Sequence, residues 1–316
     1  MANLVAQAVV TEMMGDVGLT LLREQLQVHY DPTLGTSDRL ADEVAQADVL
    51  IVRNQTRVSR ELLARAPKLQ VIGRLGVGLD NIDLVAARDR KVPVITAKNA
   101  NAVAVAEYVF AAMLMTARPI AEATADVRTG GWDRSAFGGS ELSHKTLGLL
   151  GVGEIGTRIA LRAQAFGMKV IAYDPYVMPY DLAAVDGGVE LTTLEAVCAQ
   201  SHFISLHVPL TAQTRHMIGA AQLATMRSDA VVINTARGGV IEEAALFAAL
   251  ASGMLRGAVL DVLEQEPPTL VPSVRGLYLT PHVAGLTQEA QRRTSELVAR
   301  EVLRALMGQA SPCAVR

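Results

Sequence analysis

Three short segments place polar side chains directly after apolar runs, and together they offer a proton carrier, a carboxylate and a cation. Arg237 stands in INTARGG, Glu266 in LDVLEQEP and His282 in LTPHVAG. A histidine moves protons near neutral pH, a carboxylate beside it fixes its tautomer, and an arginine stabilises charge that develops on an oxygen. The set suits hydride transfer at a carbon that bears a hydroxyl. A structural histidine, a solvated glutamate and a surface arginine are the alternative that spacing alone leaves open.

A glycine motif has the surroundings of a dinucleotide-binding turn. The apolar run TLGLL leads into GVGEIG, residues 151–156, and a helical pattern follows. In such a motif Gly151 permits the tight turn, Gly153 lets a pyrophosphate approach the helix N-terminus, and Gly156 lets helix and strand pack closely. A glycine turn in a sheet without a ligand is the alternative.

An acidic residue ends the next strand-like run, where a ribose-binding carboxylate is expected. Asp174 follows Gly151 by 23 residues, in agreement with the roughly 20 expected between the glycine turn and that carboxylate. Its charge would repel a 2′-phosphate, and the next residues, Pro175 and Tyr176, offer no arginine to bind one. The sequence therefore favours NAD over NADP.

Short β-branched runs alternate with helical patterns along the chain, which predicts βαβ units and parallel sheets. The runs are AQAVVT, ADVLIV, LQVIG, VPVIT, TLGLLG, MKVIAY, SHFISLHV, AVVINT and GAVLDV. Two helices break this rhythm. The stretch from Ala100 to Ala117 is apolar on nearly every side and predicts a helix buried between domains, while Thr287 to Leu306 predicts an amphipathic terminal helix.

Length and composition exclude several classes of protein. The 316 residues predict two domains, and 29 Lys+Arg against 32 Asp+Glu, without runs of like charge, give no footprint for nucleic acid or an anionic membrane. Apolar stretches end before the roughly 20 residues of a membrane span, and the acidic start, with Glu12 and Asp16, predicts no targeting peptide. Cys198 and Cys313 lack metal-ligand spacing, so we expect no metal site and a reducing cytosol.

These segments, with GRLGVGLDNID at 73–83, resemble the D-isomer-specific 2-hydroxyacid dehydrogenase family over essentially the whole chain. The resemblance implies an α/β fold of two domains. Residues 1–99 and 288–316 would form a flavodoxin-like substrate-binding domain, and residues 100–287 an inserted Rossmann domain that binds NAD. It also implies a cytoplasmic, NAD-dependent oxidoreductase that interconverts a 2-hydroxy acid and its 2-oxo acid.

The resemblance also assigns residues to roles. It makes His282 the acid/base, Glu266 its carboxylate partner and Arg237 the anchor of the substrate carboxylate and C2 oxygen. Backbone N–H groups of the loop Leu75-Gly76-Val77-Gly78 would donate to the same carboxylate. Val77 and Gly78 are the expected substrate contacts of this loop. The residues expected at NAD are Gly151, Gly153, Glu154, Ile155, Gly156, Asp174, His207, Pro209, Thr235 and Asp261, the last at the nicotinamide carboxamide.

Three arginines resemble those of the phosphoglycerate dehydrogenase branch, in which the matching residues recognise a distal phosphate. They are Arg53, Arg74 and Arg134. Guanidinium groups bind phosphate, sulfonate and carboxylate well, so we expect a substrate with a second anion at C3, such as 3-phosphoglycerate or 3-sulfolactate. The alternatives are an ion pair of Arg74 with the Asp80–Asp83 region, a solvated Arg134, and hydroxypyruvate or glyoxylate as substrate.

Some sequence features differ from the phosphoglycerate dehydrogenase branch, and some leave an alternative function open. VAGLT follows His282 where a leucine-glycine-alanine-serine stretch is usual, which alters the rim of the pocket. The sequence ends at Arg316, so we expect no regulatory domain and no serine feedback. Formate dehydrogenases carry glutamine in place of Glu266, whereas an NAD(H)-sensing binding protein of the corepressor type retains the triad and remains a rival. The long apolar helix from Ala100 predicts a homodimer.

Overall fold

The structure, a computed structural model, describes residues 6–181 and 186–315. Residues 1–5, the start of the stretch in which no targeting peptide is expected, lie outside this range. The chain divides into two compact units. Unit 1 comprises Met1–Asn101 with Leu286–Arg316, and unit 2 comprises Ala102–Gly285. The first and last parts of the chain therefore share one unit.

Each unit is built on one parallel sheet. In unit 1 the strand order is β2-β1-β3-β4-β5, the flavodoxin-like order, and in unit 2 it is β12-β11-β10-β9-β6-β7-β8, which contains the Rossmann order. The strands are β1 Gln7–Val10, β2 Gln27–Tyr30, β3 Val49–Val52, β4 Val71–Arg74, β5 Val94–Thr96, β6 Thr146–Leu150, β7 Lys169–Tyr173, β8 Glu190–Leu191, β9 Phe203–Leu206, β10 Val231–Asn234, β11 Gly257–Leu260 and β12 Leu277–Leu279.

Helices connect the strands and cover both faces of each sheet. They are α1 Asp16–Arg23, α2 Leu40–Val44, α3 Arg60–Ala64, α4 Leu84–Asp89, α5 Ala102–Ala117, α6 Ile120–Arg128, α7 Glu154–Ala165, α8 Leu194–Gln200, α9 Ala220–Thr225, α10 Glu243–Ala251 and α11 Gln288–Leu306, with a 3₁₀ turn at Leu34–Thr36. Thr287 caps α11 by accepting a hydrogen bond from the Ala290 N–H. The terminal helix therefore begins where the sequence predicts it.

Alternate residues of each strand supply two cores, because successive side chains point to opposite faces. In unit 1, Val49 and Ile51 of β3 pack with α1 and α11, whereas Leu50 and Val52 pack with α2, α3 and α4. In unit 2, one face carries α5 and α7 and the other carries α8, α9 and α10. The predicted α/β fold with two parallel sheets is confirmed.

The apolar helix of the sequence is α5, which belongs to unit 2. Nine of its sixteen residues are buried, on the sheet face that it shares with α7. Across residues 6–181 and 186–315, no single helix has both the length and the apolar character needed to cross a membrane. Among the described helices, only α5 and α6 taken together, with a bend of 53° between them, reach that length and composition.

Candidate functional site

Candidate residues of unit 2 follow the carboxyl ends of parallel strands, so they lie along one edge of the sheet. Ligands of open α/β sheets bind at this edge, at the point where the strand order reverses. That point lies between β6 and β9. The residues just past the strand ends are Gly151 for β6, Asp174 for β7, His207 for β9, Thr235 for β10, Asp261 for β11 and Thr280 for β12.

The glycine turn is shaped by close backbone contacts at two of its glycines. Gly151 has a φ of +98°, and a Cβ there would lie 2.7 Å from the His207 carbonyl oxygen. A Cβ on Gly156 would lie 2.4 Å from the Gly151 carbonyl oxygen. At Gly153, which precedes α7, a Cβ would meet no protein atom within 4 Å. The protein itself therefore does not require glycine at position 153, whereas a pyrophosphate at this helix N-terminus would.

Asp174 holds the glycine turn through its carboxylate. One oxygen accepts a hydrogen bond of 2.8 Å from the Val152 N–H, and the other accepts one of 3.0 Å from the Tyr176 N–H. Each carboxylate oxygen accepts two hydrogen bonds, so capacity remains for the two hydroxyls of a ribose. The position and the free lone pairs suit the role expected of Asp174.

Two buried polar atoms near this edge have no hydrogen-bond partner among the residues described. They are Oγ1 of Thr235 and Nδ1 of His207. The Nε2 atom of His207 lies 2.8 Å from Oγ of Ser205, and burial lowers the pKa of His207 to about 3, so the ring is neutral. Buried polar atoms normally have partners, and a ligand supplies them where the protein does not. With the open space at Gly153, these atoms fit a bound dinucleotide.

His282 and Glu266 form the predicted pair. Nδ1 of His282 lies 2.9 Å from Oε2 of Glu266, and the two side chains are 42% and 41% exposed. The other carboxylate oxygen of Glu266 accepts a hydrogen bond of 3.0 Å from the Leu263 N–H, which fixes the carboxylate in place. The carboxylate therefore sets the histidine tautomer and leaves Nε2 directed away from the pair.

The backbone around His282 is held by Asp261. The His282 N–H donates to the Asp261 carbonyl at 2.9 Å, and His282 adopts a φ of +55°, which is unfavourable for a residue with a side chain. The buried carboxylate of Asp261 accepts hydrogen bonds from the N–H groups of Val283, at 2.8 Å, and Ala284, at 2.9 Å. Asp261 thus stabilises the conformation that presents His282.

A chain of hydroxyl groups extends from Asp261 to α5. Oγ1 of Thr280 donates to the Asp261 carboxylate at 2.6 Å and lies 2.5 Å from the Tyr108 hydroxyl. Burial raises the pKa of Tyr108, which keeps that hydroxyl protonated. The Asp261 carboxylate therefore already accepts three protein hydrogen bonds, and the carboxamide role expected of it has to use its remaining lone pair.

Arg237 lies in a tightly packed turn after β10. The Asn234 side chain donates to the Arg237 carbonyl at 2.9 Å and accepts from the Ala236 N–H at 3.0 Å. A Cβ on Gly238 would lie 1.9 Å from the Leu263 carbonyl oxygen, so only glycine lets this turn pack on the segment that carries Glu266. The turn brings Arg237 and the His282–Glu266 pair to the same part of unit 2.

A second histidine–glutamate pair occurs in unit 2. Nε2 of His216 lies 3.1 Å from Oε1 of Glu264, with side chains 42% and 40% exposed. Glu264 and Glu243 each accept a hydrogen bond from the other's N–H. Burial raises the pKa of Glu243, and the charges of Glu264 and Glu266 raise it further. Exposure and pairing alone therefore do not single out His282.

In unit 1, two of the three predicted arginines come together. Arg53 follows β3 and Arg74 ends the neighbouring β4, and Nη2 of Arg74 donates to Oδ1 of Asn54 at 2.7 Å. The Arg53 guanidinium is half-buried and has no hydrogen-bond or ion-pair partner among the residues described. Burial lowers the pKa of Arg53, and the nearby Glu12 carboxylate opposes that shift. Arg134 lies in unit 2, on the exposed loop between α6 and β6.

The glycine loop of unit 1 offers fewer N–H groups than its sequence suggests. The N–H groups of Leu75 and Gly76 donate to the carbonyls of Val52 and Arg74, each at 2.8 Å. Across the described part of the chain, those of Val77 and Gly78 have no partner. Two of the loop's donors already close the turn after β4, so the expected carboxylate contact stays a prediction for the N–H groups of Val77 and Gly78.

Sequence reasoning missed three residues that hold the turn beginning at Arg53 or bond to Arg74, namely Glu12, Asn54 and Asn81. Glu12 follows the end of β1, and Asn54 follows the end of β3. Polar residues just past neighbouring strand ends were the available signal, because that edge of a parallel sheet is where ligands bind.

Comparison with known proteins agrees with this geometry. Residues 110–284 match the model of the D-isomer-specific 2-hydroxyacid dehydrogenase NAD-binding domain. The chain is 44% identical over 305 residues to the (S)-sulfolactate dehydrogenase of Chromohalobacter salexigens, covering 95% of this chain and 98% of that one. It is 42% identical over 302 residues to the D-3-phosphoglycerate dehydrogenase of Methanocaldococcus jannaschii, covering 95% of this chain and 57% of the relative's length.

A solved structure of a protein from Thermus thermophilus superposes with a TM-score of 0.87 at 31% identity, covering 98% of this chain and all of that one. The matched domain model covers more than half of the chain, and it includes the glycine turn, Asp174, Arg237, Glu266 and His282. By sequence and by fold, the chain belongs to the D-isomer-specific 2-hydroxyacid dehydrogenase family.

Proposed function

We propose that this chain is an NAD-dependent dehydrogenase that interconverts a 2-hydroxy acid with a second anion at C3 and its 2-oxo acid. The observation that carries the proposal is the 2.9 Å contact of His282 with Glu266, in a segment fixed by Asp261. Unit 2 is proposed as the NAD-binding domain and unit 1 as the substrate-binding domain. The 3-phosphoglycerate and 3-sulfolactate skeletons are the two leading candidates, matching the names of two relatives.

NADH, held by the glycine turn 151–156 and by Asp174, would supply the hydride that C2 of the oxo acid receives. Nε2 of the His282 imidazolium donates a proton to the C2 oxygen, while Glu266 stabilises the charged ring before the transfer. Arg237 binds the carboxylate and polarises the C2 oxygen, on which negative charge develops as the hydride arrives. In the oxidation direction the same nitrogen of His282 accepts the hydroxyl proton. Asp174 favours NADH over NADPH because it repels a 2′-phosphate.

The half-buried guanidinium of Arg53, which donates no hydrogen bond to the described residues, favours a substrate with a second anion. A partly buried guanidinium whose N–H groups lack acceptors is costly, and a phosphate or sulfonate relieves that cost through charge-assisted hydrogen bonds. Arg74, Arg134, Val77 and Gly78 are proposed to complete substrate recognition. Smaller acids such as hydroxypyruvate and glyoxylate would leave the Arg53 guanidinium without a hydrogen-bond acceptor.

The test is an assay of NADH oxidation with glyoxylate, hydroxypyruvate, 3-phosphohydroxypyruvate and 3-sulfopyruvate. We expect turnover, with kcat/KM for the best of the two acidic derivatives at least ~10-fold above that for hydroxypyruvate, the gain from one charge-assisted bond. Equal values for hydroxypyruvate would remove the second anion from the proposal. No turnover of any acid, together with NADH-dependent capture of a protein, would favour a sensing protein instead.

We also propose that the chain acts as a homodimer in the cytoplasm. Exposed apolar side chains lie along α5 and α6, among them Leu114, Met115, Ile120 and Val127. Apolar patches of this kind are covered in symmetric oligomers. The two free cysteines, Cys198 and Cys313, are buried thiols suited to a reducing compartment. Light scattering that gives a monomer mass would remove the dimer from the proposal.

A further inference from the structure

The carboxylate of Glu12 is surrounded by four consecutive backbone N–H groups. Its side chain is almost fully buried, since Glu12 is 5% exposed. Oε1 accepts from the N–H groups of Arg53, at 2.8 Å, and Thr56, at 3.0 Å, and Oε2 accepts from those of Asn54, at 3.0 Å, and Gln55, at 2.9 Å. All four N–H groups of the turn after β3 therefore point at one carboxylate.

This arrangement stands at the edge of the sheet where the strand order of unit 1 reverses. Glu12 follows β1 and Arg53 follows β3, and the order β2-β1-β3 places the reversal between them. A concave run of backbone N–H groups at such a point is a common anion site. Here the chain fills it with its own carboxylate, so an external anion beside this turn has to be recognised by side chains.

The Glu12 carboxylate is ionised, and further hydrogen bonds hold the turn that surrounds it. Burial raises the pKa of Glu12, but the hydrogen bonds from the Gln55, Thr56 and Arg53 N–H groups outweigh burial and hold that pKa below its usual value of 4.5. The Thr11 and Thr56 hydroxyls lie 2.6 Å apart, and the Asn81 side chain donates to the carbonyl of Thr56 at 2.7 Å. The turn 53–56 is therefore fixed on both its N–H and carbonyl sides.

Both cations proposed to meet the second anion depend on this turn. Arg53 is its first residue, and Asn54, its second, accepts the 2.7 Å hydrogen bond from Nη2 of Arg74. Fixing the backbone of residues 53 and 54 thus fixes the origin of one guanidinium and the bonding partner of the other. Guanidinium groups held in place lose less conformational entropy when an anion binds.

We propose that Glu12 is a positioning residue that sets the specificity for a second, tetrahedral or carboxylate anion on the substrate. It acts through the turn 53–56, on Arg53 directly and on Arg74 through Asn54, and does not touch the substrate. The inference rests on the proposed dehydrogenase function and adds the residue that makes its anion recognition selective.

The test compares substrates that differ only by the second anion, in the full chain. Glu12→Gln replaces one acceptor oxygen by a donor that faces two N–H groups, so two of the four bonds are lost. We expect the KM for 3-phosphohydroxypyruvate to rise at least ~10-fold, the equivalent of one charge-assisted bond. The KM for hydroxypyruvate and the kcat for both acids should stay within about twofold, because His282 and Arg237 are unchanged.

Two further variants keep the test decisive. Asn54→Ala removes the acceptor of Arg74 but keeps the four hydrogen bonds of Glu12. We expect the same selective rise in the KM for 3-phosphohydroxypyruvate, at roughly threefold, the lower range of a single hydrogen bond. Asp31→Asn alters another carboxylate of unit 1, which bonds Thr33 and Arg39, and should change neither KM. It controls for a general loss of stability.

The outcomes separate this inference from the function on which it rests. Wild-type turnover with equal changes in both KM values for Glu12→Gln would overturn the role of Glu12 alone. If Glu12→Gln does not fold, unchanged selectivity in Asn54→Ala overturns it. No wild-type turnover of either acid would overturn the dehydrogenase function and this inference together.

Discussion

Two histidine–glutamate pairs of nearly equal exposure in unit 2 make the choice of acid/base a matter of surroundings. His282 follows β12 at the ligand-binding edge, where the buried Asp261 carboxylate accepts from the N–H groups of Val283 and Ala284. A positive φ is common to both histidines, at +55° for His282 and +51° for His216, and does not separate them. His216 lies between β9 and α9, and its partner Glu264 is also engaged by the backbone of Glu243. The support around His282 is what a catalytic side chain needs.

We therefore expect His282→Ala to lower kcat at least ~100-fold, the usual scale of general acid/base catalysis, because no other group there carries the proton. His216→Ala removes a histidine with the same exposure and the same kind of partner, so it is the matched control and should keep kcat within a few-fold. Steady-state kinetics with NADH and the best oxo acid measures both. A change of KM alone in His282→Ala, or a larger loss in His216→Ala, would reassign the role.

At the level of elements, the turn between β6 and α7 separates glycines that the protein needs from one that a ligand needs. Gly156→Ala would put a Cβ 2.4 Å from the Gly151 carbonyl oxygen, so we expect a loss of roughly 1–3 kcal/mol of stability from overpacking. Gly153→Ala meets only open space, at a φ of −76° that alanine tolerates. Its cost should be about 1 kcal/mol at most, the effect of a poorer N-cap.

The same Gly153→Ala substitution should weaken NADH binding by at least ~10-fold, because the methyl group occupies the space through which a pyrophosphate approaches the α7 N-terminus. Calorimetric titration with NADH gives the affinity, and thermal unfolding without NADH gives the stability. An unchanged NADH affinity would place the pyrophosphate elsewhere. Gly156→Ala is the comparison variant, because its main expected effect is a loss of stability.

The sequence pattern predicted the strands better than it predicted the contacts that hold the site residues in place. The strands with continuous β-branched runs, such as Val49–Val52 and Val231–Asn234, were predicted because they are buried on both faces. The strands β2, β8 and β12 are not among the predicted runs, since β2 and β12 have no buried residue and β8 has only two residues. Segments after strands revealed Arg237 and His282, but the contact of Glu12 with residues 53–56 spans about 40 residues of sequence, and no local pattern encodes it.

At the scale of the whole molecule, the chain gathers its reactive polar groups at the carboxyl edges of two sheets and leaves apolar side chains on both faces of each. This explains why only 19% of the residues are charged although the proposed substrate carries two anions. The same arrangement buries titratable groups, and burial shifts their pKa values. Burial lowers the pKa of both His202 and His207, and Nδ1 of His202 accepts the Thr146 N–H at 3.1 Å, which requires the unprotonated ring.

The stability of the molecule should consequently fall in mild acid. His207 has a pKa of about 3 in the folded chain because it is buried, against a usual value of 6.5. The unfolded chain therefore binds a proton first as the pH falls below 6.5, and that proton favours unfolding throughout the window from 6.5 down to about 3. By linkage, this proton lowers the free energy of unfolding by about 1.4 kcal/mol at one pH unit below 6.5. His202 adds to the loss in the same direction.

Urea unfolding of wild type and His207→Gln, at neutral pH and near pH 5.5, measures this contribution. Glutamine retains a group able to bond Ser205 but does not titrate, so the variant should lose roughly 1.4 kcal/mol less than wild type on acidification. Its stability at neutral pH is a separate quantity and cancels from the comparison. Parallel losses in both proteins would mean that His207 is protonated when folded, and its ring would then be a solvated group rather than a buried, neutral ring at the expected NAD site.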